Sequence, residues 1–155
     1  MTVTVDLQTH QVAIATERGV YTEDIRGRDQ AEVLAELVQK AGVEGSQATL
    51  LLRPNHSFSR VLSLERVPAK KNVLDAVIGA ALEETLPVDL EELSFSYVPL
   101  QNGNELNPRF LATAVQTDKA KDLFDIVNRA GLSARRLVAY SSAASTVYRL
   151  SLIHI

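Results

Sequence analysis

The sequence contains no cysteine. That excludes a disulfide framework and any thiolate metal site, and it is compatible with a reducing compartment. It also lacks an excess of positive charge: 16 Lys and Arg stand against 19 Asp and Glu, for a net charge of −3. Nucleic-acid binding draws on a basic face, and no such general pull exists here. No apolar run approaches the length of a membrane span. The opening residues, MTVTVDLQ, carry neither the basic start nor the apolar run of a signal peptide. Histidine is scarce: His10, His56 and His154 are far apart, and no pair has the i, i+4 spacing of a helical metal site. They are read as solvent-facing. A soluble cytoplasmic protein is expected.

What is present is ordinary for a globular chain, 46% hydrophobic and 23% charged. Its 155 residues suffice for one ordinary domain or two small ones with a real core. Val3, Val5 and Leu7 alternate with polar residues, as in a half-buried strand. Val12 and Ile14, then Val20, Tyr21 and Ile25, mark two more strands around a turn at Glu17-Arg18-Gly19. The start is an antiparallel meander. Residues 29–42, DQAEVLAELVQKAG, follow as a helix with Val33, Leu34, Leu37, Val38 and Ala41 on one face. Asp29 and Glu32 have the spacing of a capping box, and Gly42 followed by Val43 fits a left-handed C-cap. ATLLLRP, residues 48–54, is apolar on both faces, which suits a central strand.

A second unit begins near Asn55. FSRVLSLERVP, residues 58–68, alternates as a strand that Pro68 stops. A helix follows, with Leu74, Val77, Ile78, Ala81 and Leu82 on its apolar stripe. Gly79 inside it costs about 1 kcal/mol relative to alanine, which a close helix–sheet contact would explain. Pro87 ends the helix, because it lacks an N–H and its ring crowds the preceding turn. Residues 93–100 alternate again, Asn102-Gly103-Asn104 marks a hairpin loop, and RFLATAVQ, residues 109–116, is the returning strand. Thr117 caps a third helix, 118–130, with Leu123, Phe124, Val127 and Ala130 on its buried stripe. ARRLVAY, residues 134–140, is another strand, and SSAASTVYR starts a last helix. VQKAGV (38–43) and VNRAGL (127–132) look like a repeat, but both obey one capping rule: a cation in the last turn, glycine, then an apolar residue.

This order of elements resembles the PilM-like type IV pilus assembly proteins, an actin-like family related to the cytoplasmic part of the type II secretion protein GspL. The local signature is a helix ending in Leu-Pro, then acidic residues and a strand: Glu83-Glu84-Thr85-Leu86-Pro87-Val88-Asp89-Leu90-Glu91-Glu92, followed by Leu93-Ser94-Phe95-Ser96-Tyr97. The resemblance covers residues 1–149. It implies a mixed α+β or α/β fold: a partial actin-like (ribonuclease H-like) subdomain carrying an inserted strand–helix–strand–strand (SHS2-type) domain. The boundaries it implies are 1–54 for the first part of the actin-like subdomain, 55–132 for the insertion and 133–149 for the return. The last six residues, LSLIHI, match the translation of a transposon-end adapter and are set aside as an artefact, so the natural chain is expected to continue past Arg149. The corner at Pro87 is expected to fold the inserted helix onto its own sheet, with Val88 and Leu90 in the seam.

The same resemblance places a phosphate loop between the first two strands, typically Asp-x-Gly-Ser/Thr with a basic residue soon after. The matching residues are Asp6-Leu7-Gln8-Thr9-His10-Gln11-Val12-Ala13. Asp6 would orient a metal-bound water and Thr9 would reach a phosphate. Gln8, however, stands where glycine permits close backbone approach, and Ala13 where the basic residue is expected. The loop is degenerate, no cofactor is expected in this fragment, and ATP is left to the full-length protein. The partner implied is the cytoplasmic tail of a PilN-like inner-membrane protein, with membrane contact only through it, at the inner face of the inner membrane. Two alternatives are an actin-like ATPase or kinase, which Gln8 and Ala13 oppose, and a nucleic-acid module. The latter needs aromatic platforms and positive charge, whereas Phe95 and Tyr97 share the buried parity of Leu93.

Other polar clusters read as structural. Glu83-Glu84 and Glu91-Glu92 mark a solvated helix end and strand entry, and Ser141, Ser142 and Ser145 have no His–Asp partner. Arg53, Arg60, Lys70-Lys71 and Arg135-Arg136 are candidates for a basic patch. Lys70-Lys71 would sit at a helix N-terminus, where cations are unfavourable and an anionic neighbour would help. No catalytic residue and no metal ligand is assigned.

Overall fold

The computed structural model describes residues 2–100 and 107–139. The hairpin loop at Asn102–Asn104, the helix start at 141–149, the serines within it, His154 and the tail at 150–155 lie outside the described residues. Alternation sets the first strands. In β1 (Thr2–Leu7) Val3, Val5 and Leu7 are buried while Thr2 and Thr4 face out. β2 (Gln11–Thr16) buries Val12 and Ile14, and β3 (Gly19–Asp24) completes the antiparallel meander. Val20, within β3 as expected, is 69% exposed. β3 is an outer strand, and its sheltered positions fall on Tyr21 and Glu23.

α1 (Gln30–Ala41) packs its buried residues Val33, Leu34, Leu37 and Val38 beside β2 and β3. The capping box is not formed. Asp29 occupies the N-cap position with extended backbone, but its side chain makes no cap hydrogen bond. Its charge still complements the helix N-terminus. β4 (Gln47–Leu52) follows and runs parallel to β1.

The chain then leaves this sheet. β5 (Phe58–Ser63), α2 (Lys71–Thr85), β6 (Leu93–Leu100) and β7 (Arg109–Gln116) come before α3 (Thr117–Arg129) and β8 (Ser133–Ala139). β8 returns to pair in parallel with β4, giving the order β3-β2-β1-β4-β8. β4 thus takes the central position expected of the apolar ATLLL run, with Ala48, Leu50 and Leu52 buried on one face and Thr49 and Leu51 partly covered on the other. The two helix ends read as one capping rule behave alike. Gly42 has φ 66°, and the N–H of Val43 reaches the carbonyl of Val38 at 3.2 Å. Gly131 has φ 95°, and Leu132 donates to Val127 at 3.4 Å. These positive φ values suit glycine. The two ends also meet: Gly45 donates to the carbonyl of Gly131 at 2.7 Å and Ser133 to that of Ser46 at 2.9 Å. They thereby deliver β4 and β8 side by side.

The chain forms two compact units. One comprises the residues up to Asn55 together with those from Lys119 through β8; the other is His56–Asp118. α3 from Lys119 onward therefore goes with the first unit, whereas the sequence placed the end of the insertion at 132. In the second unit β5, β7 and β6 form an antiparallel sheet in that order. α2 supplies Ile78 and Leu82, both fully buried, to a core with Leu62, Leu93, Phe110, Ala112 and Ala114. β5 stops at Ser63, short of the expected end at Pro68. Thr117 is the first residue of α3 rather than its cap, and its hydroxyl lies 3.0 Å from that of Ser94.

The corner after α2 follows from Pro87. Leu86, the residue before it, is extended at φ −113° and ψ 148°, as the proline ring requires. Val88 then packs against the core of the unit, and Leu90 reaches Gly79. A Cβ on Gly79 would lie 3.2 Å from both Leu90 Cδ2 and Phe95 Cζ. The glycine is there because helix, corner and sheet approach closely.

Two predictions follow from these contacts. Gly79→Ala is expected near neutrality in urea unfolding, since a helix gain of about 1 kcal/mol offsets mild crowding. Gly79→Leu is expected to destabilise by about 1–3 kcal/mol, because Leu90 and the Phe95 ring must move. The second concerns Glu23 on β3. Lys40, in the last turn of α1, donates to it at 3.1 Å, with Arg28 at 3.6 Å. The Lys40 hydrogen bond and charge hold its carboxyl below the ordinary 4.5, with Arg28 and Arg26 adding. A lowered folded-state value stabilises the fold above the unfolded value, and the effect fades as pH falls through the lower one. Glu23→Gln should therefore melt below wild type at about pH 7 and match it at about pH 3.

Candidate functional site

The carboxyl ends of parallel strands are where open sheets of this kind bind ligands, and Asp6 lies at such an end. β1 and β4 pair with Asp6 opposite Leu51. Arg53 lies two residues beyond Leu51, so strand alternation carries it to the face that Asp6 occupies. Its Nε donates to Asp6 Oδ1 at 2.8 Å, and its Nη2 donates to Asp6 Oδ2. Gln8 adds a third donor, Nε2 to Oδ2 at 3.0 Å. The pair is sheltered, with side-chain exposures of 15% for Asp6 and 30% for Arg53.

Gln8 is engaged in every direction. Its N–H donates to the carbonyl of Gln11 at 2.9 Å, and its own carbonyl accepts from Gln30 Nε2 at 3.1 Å. Thr9 and His10 are exposed and open onto a shallow cleft of about 500 Å³ that is also lined by Gln11, Asp24 and Arg53. Asp6 and Thr9 thus share one turn, but only Thr9 faces the opening. A nucleotide-bound metal needs an open carboxylate, and phosphate needs outward backbone N–H groups. Asp6 and Gln8 as they stand offer neither. Among the described residues no group of three or more His, Asp or Glu gathers as a metal site.

The second unit carries the other candidate surface. Val77, expected on the buried stripe of α2, is 37% exposed, and Val73 is 44% exposed. α2 is apolar on more than one side, and its core face falls instead on Ile78, Gly79 and Leu82. With Leu64, Val67 and Pro68, these valines line a cleft of about 680 Å³ edged by Glu65, Arg66 and Lys70. Lys70 takes the N-cap position of α2, and the first turn contains no acidic residue. Lys71 lies 3.9 Å from Asp75 along the helix. On the core side of the sheet Phe95 and Tyr97 pack against the hydrophobic cluster. Tyr97 meets Phe110 edge to face at 5.7 Å and 83°. Its hydroxyl donates to Asp75, which raises the phenol above its ordinary range, desolvation adding. Neither ring is a free stacking platform. The Tyr97–Asp75 bond and the Asp6–Arg53 pair were not foreseen from sequence. Strand parity and register would have revealed the second, had the parallel pairing been known.

The two mixed units give a fold of the PilM and EpsL kind. No family model and no curated protein sequence matches the chain, but solved structures do. One is the "PilM-PilN type IV pilus biogenesis complex", with a TM-score of 0.72 and 12% identity, covering 89% of this chain and 47% of that one. Another is the cytoplasmic domain of EpsL, an inner-membrane component of the type II secretion system of Vibrio cholerae. It has a TM-score of 0.62 and 18% identity, covering 89% of this chain and 56% of that one. The chain therefore spans about half the length of the structures it matches. Among the described residues no helix is long and apolar enough to cross a membrane.

The turn after β1 generates a prediction. Gln8→Ala should destabilise by about 1 kcal/mol through its lost bond to Asp6. Thr9→Ala, at an exposed position, should change urea stability by less than about 0.5 kcal/mol.

Proposed function

We propose that the chain is part of a cytoplasmic assembly-platform protein of a type IV pilus or type II secretion-like machine. It binds the cytoplasmic tail of a bitopic, PilN-like inner-membrane protein, and membrane contact is made only through that partner, at the inner face of the inner membrane. The observation that carries this reading is the fold likeness over 89% of the chain to the PilM–PilN complex structure. The first unit is read as a partial actin-like subdomain and the β5–α2–β6–β7 unit as its SHS2-type insertion. The role is binding and not catalysis. Support for that comes from the engaged Asp6 and from Gln8 in the position where a phosphate loop carries glycine. The inward-facing Phe95 and Tyr97 and the net charge of −3 speak for a protein partner over a nucleic acid.

Recognition of a tail by a groove needs apolar pockets and backbone groups. The exposed Val67, Val73 and Val77 supply an apolar surface of that kind. The test is co-purification with the single-span inner-membrane protein encoded beside this chain, in mild detergent. Association is expected, and Val73→Asp with Val77→Asp should reduce it several-fold without lowering the melting temperature, since both side chains are exposed. No association sinks the platform reading. Association indifferent to the two aspartates moves the surface away from α2.

A further inference from the structure

We propose that Arg53 is a built-in cation at the carboxyl end of β1, filling from within the chain the place beside Asp6 that a ligand's metal would take. The strand end is set by the protein's own side chains, and Asp6 is not available to a nucleotide or a divalent ion. This deepens the platform reading, and rests on it only in making assembly independent of a nucleotide switch in this unit.

Four observations converge on it. The parallel register of β1 and β4 puts Arg53 on the face of Asp6 at the place in the sheet where ligands otherwise collect. The guanidinium meets the carboxylate with two donors, the geometry that fixes both groups in place. A carboxylate with 15% side-chain exposure needs such compensation, because a sheltered charge without a partner is costly. Finally, Gln8, where a glycine would leave the loop open, instead donates its side-chain amide to the same carboxylate and places its backbone groups on Gln11 and Gln30. An arginine at this position is tethered just beyond β4, so unlike a hydrated metal it is present at the strand end without being recruited from solution.

The inference separates from a merely structural surface pair by its coupling. Removing either partner takes away the opposite charge that the other faces, whereas removing both does not. The experiment uses the full 155-residue chain, with Asp6→Asn, Arg53→Met, the double variant, and Arg53→Lys. Each is melted with and without millimolar MgCl₂, MnCl₂ and Mg-ATP. Each single change is expected to lower the melting temperature by about 5 °C or more, and the double by clearly less than the sum. Arg53→Lys, which lacks the fork, should rescue only partly, and it keeps the test open should Arg53→Met fail to fold. The ions and ATP should leave the wild-type melting temperature unchanged. Additive losses overturn the proposal. So does a wild-type shift with metal or ATP that Asp6→Asn abolishes. A shift that survives Asp6→Asn, alongside non-additive losses, upholds it and puts the ligand elsewhere. None of these readouts involves partner capture, so this inference and the platform reading can fail separately.

Discussion

Everything in the first unit depends on one constraint: β4 has parallel neighbours on both sides, β1 and β8. A parallel neighbour cannot be reached through a hairpin, so the chain must cross over each time. The first crossover runs from β1 through β2, β3 and α1 to β4. The second includes the whole of β5 to β7 before α3 brings the chain back. The second unit therefore occupies a connection that the first sheet needs in any case. The Schellman-type ends of α1 and α3, joined by the Gly45–Gly131 and Ser133–Ser46 hydrogen bonds, are the local devices that start β4 and β8 together.

The same parallel pairing decides the chemistry at the far end of the strands. It places Arg53 beside Asp6, and the ion pair, with Gln8, occupies the carboxylate that an open loop would present. The second unit is arranged differently. Its core gathers Ile78, Leu82 and the aromatic residues of β6 and β7, leaving valines of α2 and its preceding loop at the surface.

Much of the fold was legible because its signals are local. The alternation of Val3, Val5 and Leu7, the Gly42 and Gly131 caps and the break at Pro87 each depend on backbone chemistry within a few residues. The predicted spans of residues 93–100 and 109–116 coincide with β6 and β7. Errors came where the partner is distant or where two local options compete. Val77 has the hydrophobicity of a core residue, but the rotation of α2 leaves it exposed. Asp29 had the spacing of a capping box, yet its side chain forms no cap bond.

By itself the sequence determined the kinds and order of the elements, the corner at Pro87 and the glutamine at position 8. All of these are written in residue type and short-range spacing. Only the tertiary structure decided that Asp6 belongs to Arg53, that Gly79 makes room for Leu90 and Phe95, and that α2 turns Val73 and Val77 outward. Those pairings join residues that are far apart along the chain or fix a rotation about a helix axis. Neither is encoded in periodicity, because strand register and helix packing are settled only when the elements come together.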